Sequence, residues 1–151
     1  MPPPRNTTAS SRGIITRFAC ELGHPKRNQE TPLGNLIADI LRDSFGIDLM
    51  LMGSGAIRSY SLGPVVHYAD LVECLPYDDA VYMHKVTGAQ LERMLRHVLR
   101  DEAFLNITLE EAEENGRTRV LSTSARDMVE EYLMVNQHLN RRVEGRLVVE
   151  D

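Results

Sequence analysis

Residues 31–46 spell out one complete helix, and that helix limits what the rest of the chain can do. Thr31 offers a side-chain oxygen to cap the first turn, and Pro32 fits the first helical position, where its missing N–H would have had no partner. Leu33, Ile37, Ile40 and Leu41 recur at spacings of four, three and one, which puts them on one face. Gly46 then closes the helix, because a residue without a Cβ enters the left-handed conformation cheaply. A helix with one apolar stripe needs a second layer to cover it, so the remaining segments must supply that layer.

Those segments are of both kinds. Ile14-Ile15-Thr16-Arg17-Phe18 alternates weakly and reads as a short strand, while Ile47 to Met52 is short and apolar, as suits a largely buried strand. After a Gly-Ser-Gly turn at 53–55, the stretch Pro64 to Pro76 holds a short strand at Val65-Val66 and a helical turn from Ala69 to Cys74. Ala80 to Val86 reads as a strand, and Thr87 with Gln90 three residues on forms a capping box for the next helix. In that helix Leu91, Met94, Leu95, Val98 and Leu99 share one face, with Arg93, Arg96 and Arg100 elsewhere. Thr108 and Glu111 repeat the box over a short acidic helix ending near Asn115-Gly116. Ser124 opens a last helix with Val129, Tyr132 and Leu133 inward, before Gly145 and a terminal strand from Arg146 to Val149. Helices and strands without a strict βαβ rhythm predict an α+β fold, a small mixed sheet packed with helices in a single domain over 14–151.

Composition narrows the function classes. A net charge of -5 argues against a nucleic-acid partner, whose phosphates call for a basic stripe. Met1 to Arg12 is rich in Pro, Ser and Thr, so residues 1–13 read as a disordered N-terminal segment with no signal-peptide core. No run of 18 or more apolar residues occurs, so no membrane partner is expected. Cys20 and Cys74 lie far apart without a CxxC neighbour, which reads as free thiols in a reducing, cytoplasmic setting. The cell envelope is the setting if the true start lies upstream.

Few residues suggest chemistry directly. His24, His67, His84, His97 and His138 are scattered, with no HxxxH or DxH spacing, so no metal site is expected in this chain. No GxSxG elbow is present to build a nucleophile, and no catalytic residue is assigned. Gly53 and Gly55 either make a tight turn or let a ligand approach main-chain N–H groups. Arg58, just past that turn, is either a solvated loop residue or a bidentate grip on phosphate or carboxylate. Tyr77 follows Pro76 and is either core packing or a stiffened stacking platform for a base. Asp78 and Asp79 are either a solvated turn or an acid/base pair.

The order of motifs is more specific than any one of them. Lys26-Arg27, then Glu30-Thr31-Pro32-Leu33-Gly34-Asn35-Leu36-Ile37-Ala38-Asp39, Gly53-Ser54-Gly55-Ala56-Ile57-Arg58, Tyr68-Ala69-Asp70-Leu71, Leu75-Pro76-Tyr77 and Val86-Thr87-Gly88-Ala89-Gln90-Leu91 resemble the C-terminal domain of the 5'-nucleotidase family. That family includes UDP-sugar hydrolases and 2',3'-cyclic-nucleotide phosphodiesterases. Glu131-Tyr132-Leu133 and Val143-Glu144-Gly145-Arg146 resemble its closing helix and strand, so the likeness runs from about residue 14 to 149.

The resemblance implies a division of labour in nucleotide catabolism. An N-terminal metallophosphatase domain holds two divalent metal ions, and the C-terminal domain holds a nucleotide or nucleoside-diphosphate sugar. No cofactor is then expected in this chain, and hydrolysis needs such a domain, supplied in trans or encoded upstream. By position, Arg58 and Arg27 match arginines that contact substrate, and Tyr77 matches a base-stacking aromatic that is usually Phe. Asp79 stands where the family commonly has an Asn that reads the base edge. Between Phe104 and Leu105 the family carries several dozen further residues, with a second stacking aromatic, and these are missing here. An alternative expectation follows from that gap: a degenerate, non-catalytic interaction module that pairs through an exposed sheet edge.

Overall fold

The structure, a computed structural model, describes residues 13–98 and 118–146, with nothing stated for the side chains of 97 and 98. Expectations that fall outside these residues are the disorder of 1–12, Leu99 and Arg100 on the third helix, the gap at 104–105, the acidic helix at 108–116 and the strand residues 147–149.

The strands are β1 (Ile14–Arg17), β2 (Leu22–Gly23), β3 (Ser61–Leu62), β4 (Val65–His67), β5 (Val81–His84) and β6 (Thr118–Ser122). The helices are α1 (Pro32–Phe45), α2 (Tyr68–Cys74), α3 (Gly88–Val98) and α4 (Ala125–Val135), with a 3-10 turn at Ser54–Ala56. They pack as two compact units, one from residues up to 79 together with 124–146, the other from 80–98 together with 118–123. The chain leaves the first unit after Asp79 and returns to it at Ser124.

In the first unit α1 follows its sequence closely. Thr31 sits in extended backbone and accepts the Gly34 N–H at 3.1 Å, while Gly46 takes the left-handed conformation at φ 61°. Leu33, Leu36, Ile37, Ile40 and Leu41 are buried, and they face α4 and β2. Truncating a fully buried leucine such as Leu36 to alanine costs about 2–5 kcal/mol, because the surroundings refill the gap only in part. On α4, Val129 and Leu133 are buried and Tyr132 is half-buried, with Ser124 capping through its acceptance of the Asp127 N–H at 3.0 Å.

β1 is the hinge of a small mixed arrangement. It pairs antiparallel with β4, and its continuation Phe18 bridges Leu139 in parallel. The buried Thr16 donates its hydroxyl to the Asn136 carbonyl at 2.7 Å, which fastens the end of α4 to the strand. β2 and β3 form a second antiparallel pair, too short for its two-residue strands to be read from periodicity. Gly63 is required where it is: φ is 89°, and a Cβ there would lie 2.6 Å from the Phe18 ring.

α2 begins with Asp70 accepting the His67 N–H at 2.8 Å, so the Asp in Tyr-Ala-Asp-Leu serves the helix start. Its buried residues are Leu71 and Cys74. Burial pushes the Cys74 thiol up to about 11, so at neutral pH it is an apolar core group and not a nucleophile.

One expected strand does not form. Ile47 to Met52 joins no ladder among the described residues, and Leu49 and Leu51 are 47% and 38% exposed. An apolar run becomes a buried strand only where a neighbour supplies hydrogen bonds and cover, and local sequence cannot guarantee either.

In the second unit β5 pairs antiparallel with β6, a strand that sequence reading did not single out. The Thr87–Gln90 box is formed as expected, with the Thr87 N–H on Gln90 Oε1 at 2.9 Å and the Gln90 N–H on Thr87 Oγ1 at 3.3 Å. On α3 Met94 is buried and Leu91 half-buried, while Arg93 and Arg96 are exposed.

Candidate functional site

Two segments of the first unit, the connection from β2 to α1 and the glycine turn, converge through a chain of short hydrogen bonds. His24 lies past β2 with its ring buried, one nitrogen 2.7 Å from Thr31 Oγ1 and the other 3.1 Å from the Ser54 carbonyl oxygen. Ser54 in turn donates its hydroxyl to the Arg27 carbonyl at 2.7 Å. The N-cap of α1, the Arg27 loop and the glycine turn are therefore one connected structure.

The turn itself differs from expectation. Gly53 has φ -66° and Gly55 lies within the 3-10 turn, so neither takes the left-handed angles for which glycine is usually needed. A Cβ on Gly53 would meet nothing within 4 Å, and one on Gly55 would stand 3.8 Å from Arg27 Nη1, an ordinary contact. The fold requires glycine at neither position for these backbone angles. Gly53 leaves open space, and Gly55 leaves space beside the Arg27 guanidinium.

Past the turn, Ile57 is buried and Arg58 exposed, so one residue anchors the segment and the next reaches outward. The Arg58 N–H bonds to the Cys74 carbonyl at 2.8 Å, which ties the turn to the end of α2 and to Leu75-Pro76-Tyr77. Tyr77 is 61% exposed, with the Arg58 guanidinium carbon 6.0 Å from its ring centroid. At that distance the cation is at the edge of attraction to the ring face. Tyr77 is thus a surface ring and not core packing.

The two aspartates separate. Asp78 adopts φ 52°, and its carboxylate accepts the Ser124 hydroxyl and pairs with Arg126 at 3.3 Å, while Arg126 also donates to the Leu75 carbonyl at 3.1 Å. Asp78 is therefore a staple between the Tyr77 loop and the start of α4, and the acid/base pair is not formed. Asp79 gives its backbone carbonyl to the Ala125 N–H at 2.8 Å and leaves its side chain exposed.

A second polar cluster lies on α1. The buried Asp39 accepts two hydrogen bonds from Arg146, at 2.7 and 3.0 Å, and one from Arg141 at 3.0 Å, with Arg42 at 3.4 Å. Arg146 at hydrogen-bonding distance holds the Asp39 carboxyl below its ordinary range, and Asp39 in turn raises Arg146. Glu30 accepts Asn35 at 2.7 Å and the backbone N–H groups of Glu144 and Arg146 at 2.8 Å each. Glu30, Asn35 and Asp39 of the Glu-Thr-Pro-Leu-Gly-Asn motif thus clasp residues 141–146 to α1. Sequence reasoning missed this clasp because partners 102 to 116 positions away leave no spacing signal, and it missed His24, whose partners Thr31 and Ser54 stand 7 and 30 positions away, because a lone histidine in a loop forms no motif.

By contrast, neither Arg27 nor Arg58 reaches salt-bridge distance of a carboxylate among the described residues. Of the residues expected to bind, Arg27 with Gly55 and Arg58 with Tyr77 are brought together in pairs, joined through Ser54 and the turn. No contact links the Asp79 side chain to them. An open depression lined by Thr87, Gln90, Arg93 and Arg96 belongs to the second unit and shares none of these residues. Among the described residues no three or more His, Cys, Asp or Glu side chains are grouped to hold a metal, and no helix is long and apolar enough to cross a membrane.

Comparison with curated proteins and with solved structures gave no match. The model of the family "5'-nucleotidase, C-terminal domain" matches residues 11–139, most of the chain, and this protein belongs to that family.

Proposed function

We propose that this chain recognises a nucleotide or a nucleoside-diphosphate sugar, as the substrate-holding part of a phosphoester hydrolysis in nucleotide catabolism. Arg58 and Arg27 grip the anionic end, Tyr77 stacks on the base, Gly53 and Gly55 leave room at the turn, and Asp79 meets the base or sugar edge. The observation that carries the reading is the pairing of an exposed ring with an unmatched guanidinium, 6.0 Å apart, beside a turn where glycine is not a backbone requirement. An arginine without a carboxylate partner among the described residues can turn its planar guanidinium to form bidentate hydrogen bonds with two oxygens of a phosphate group.

The described residues do not form a metal-binding set, so no step of bond cleavage is assigned to them. The two divalent ions and the attacking water belong, in this reading, to a metallophosphatase domain on the same or another chain.

Stacking on one ring contributes about 1–3 kcal/mol. A charge-assisted hydrogen bond adds about 1.5–3 kcal/mol. Since about 4 kcal/mol corresponds to a Kd of about 1 mM, binding in the millimolar range is expected. Titration calorimetry with AMP, adenosine and a UDP-sugar tests this. AMP should bind more tightly than adenosine, and Arg58→Ala should shrink the difference. No heat with any of the three at millimolar concentration would overturn the proposal.

A second reading, association of two copies through an unpaired strand-like segment, is favoured by the exposure of Leu49 and Leu51 within Ile47 to Met52. Size-exclusion chromatography across a hundredfold concentration range separates the two. A compact monomer throughout would remove the association reading.

A further inference from the structure

We infer that His24 is the positioning residue of the binding site, a ring protonated on Nε2 that holds the glycine turn against the capped start of α1. This rests on the nucleotide-binding reading for its function, and on hydrogen-bond chemistry alone for its geometry.

The tautomer follows from the partners. His24 Nε2 lies 3.1 Å from the Ser54 carbonyl oxygen, which can only accept, so Nε2 carries the hydrogen. Of the two single-proton tautomers, this one leaves Nδ1 as an acceptor, and the Thr31 hydroxyl at 2.7 Å donates to it. The same Thr31 oxygen accepts the Gly34 N–H at 3.1 Å. Donor and acceptor alternate from the Gly34 amide through Thr31 and His24 to Ser54, and every group in the relay is satisfied. The ring is 6% exposed, and the His24 N–H is itself held by the Tyr60 carbonyl at 2.6 Å.

This relay reaches both arginines. Ser54, whose carbonyl receives the ring, also holds the Arg27 carbonyl through its hydroxyl, and the turn it opens leads directly to Arg58. Moving the ring therefore changes the spacing of two guanidinium groups that must close on one ligand. The relay also explains the glycine at 34, inside a helix where glycine costs about 1 kcal/mol relative to alanine. A Cβ there would stand 2.8 Å from Thr31 Oγ1, too close for the hydroxyl to keep its place.

The test uses the full chain with His24→Leu, His24→Gln and Gly34→Ala. Nitrogen-15 imidazole shifts should report His24 protonated at Nε2 and bare at Nδ1. His24→Leu should raise amide exchange at Ala56 and Ile57, whose N–H groups close the turn, by about tenfold more than at Leu133 in the core, and should weaken AMP by about tenfold, equivalent to about 1.4 kcal/mol. His24→Gln, which keeps one donor and one acceptor, should recover most of both effects. Gly34→Ala should loosen the turn and weaken AMP in the same way without unfolding α1, which serves if the leucine variant does not fold. A ring protonated on Nδ1, or exchange that rises equally at Ala56 and Leu133, would overturn the inference. So would unchanged AMP affinity in the leucine and alanine variants where the parent binds. If the parent binds none of AMP, adenosine and a UDP-sugar, the nucleotide reading fails, while the tautomer and the exchange pattern still decide the role of His24.

Discussion

Two sets of arginines in the same unit have opposite surroundings. Arg141 and Arg146 close on the buried Asp39, and Arg146 also meets Glu144, so their charges are matched inside the protein. Arg27 and Arg58 are held in place through backbone bonds, with no carboxylate at salt-bridge distance among the described residues. The first set acts as architecture: it fastens a distant segment to α1. The second set is positioned but electrostatically open, next to an exposed ring and a turn that has glycine on either side of Ser54. An arginine that has found its acid stabilises the fold, and one that is oriented without an acid is available to a ligand.

The comparison can be broken most directly at Asp39. Asp39→Ala leaves Arg141, Arg146 and Arg42 without their shared acid and should cost about 3 kcal/mol in urea unfolding, near the lower end for breaking a buried pair because all three arginines are partly solvated. A loss below about 1 kcal/mol would mean that the clasp is decorative. Arg58→Ala should behave in the opposite sense, weakening AMP by about ten- to a hundredfold in calorimetry, the value of one charge-assisted hydrogen bond. Its unfolding free energy should stay within about 0.5 kcal/mol of the parent, as for a surface residue without a structural partner. A large stability loss there would place Arg58 with the architectural set.

Acid should separate the two regions with a smaller effect than the deletion. Because the folded Asp39 carboxyl sits below its ordinary value, the unfolded chain takes up this proton first. The contribution of the clasp is therefore complete above about pH 5, begins to fall as pH drops through the ordinary aspartate range near 4, and goes on falling until the folded carboxyl is protonated too. Chemical unfolding between pH 7 and 3 should show this slope, and Asp39→Asn should flatten it. The smallest effect is expected at Gly53→Ala, which removes backbone freedom from the unfolded chain at a position with φ -66°, so stability should hold or rise by about 0.4–1 kcal/mol while AMP weakens. Unchanged binding in that variant would remove the turn from the site.

How much of this was legible depended on the distance over which each decision is made. The limits of α1 were written in Thr31, Pro32 and Gly46, and the start of α3 in Thr87 and Gln90, since caps act over three or four residues. Tyr77 and Arg58 could be singled out as candidates, but whether the ring lay in the core or on the surface was open until Leu75 was seen buried and Tyr77 exposed. The strand expected at Ile47 to Met52 failed for the converse reason, because its composition was right and a partner was missing among the described residues.

The sequence by itself therefore determined both ends of α1, the starts of α3 and α4, the α+β class and the family, all of which are carried by local patterns and by their order along the chain. Only the tertiary structure decided that Asp78 is a staple to Ser124 and Arg126, that Asp39 is matched by Arg146, and that His24 joins Thr31 to Ser54. The physical reason is that hydrogen bonds and ion pairs are settled over about 3 Å in space, while the residues that make them stand up to 120 positions apart in the chain.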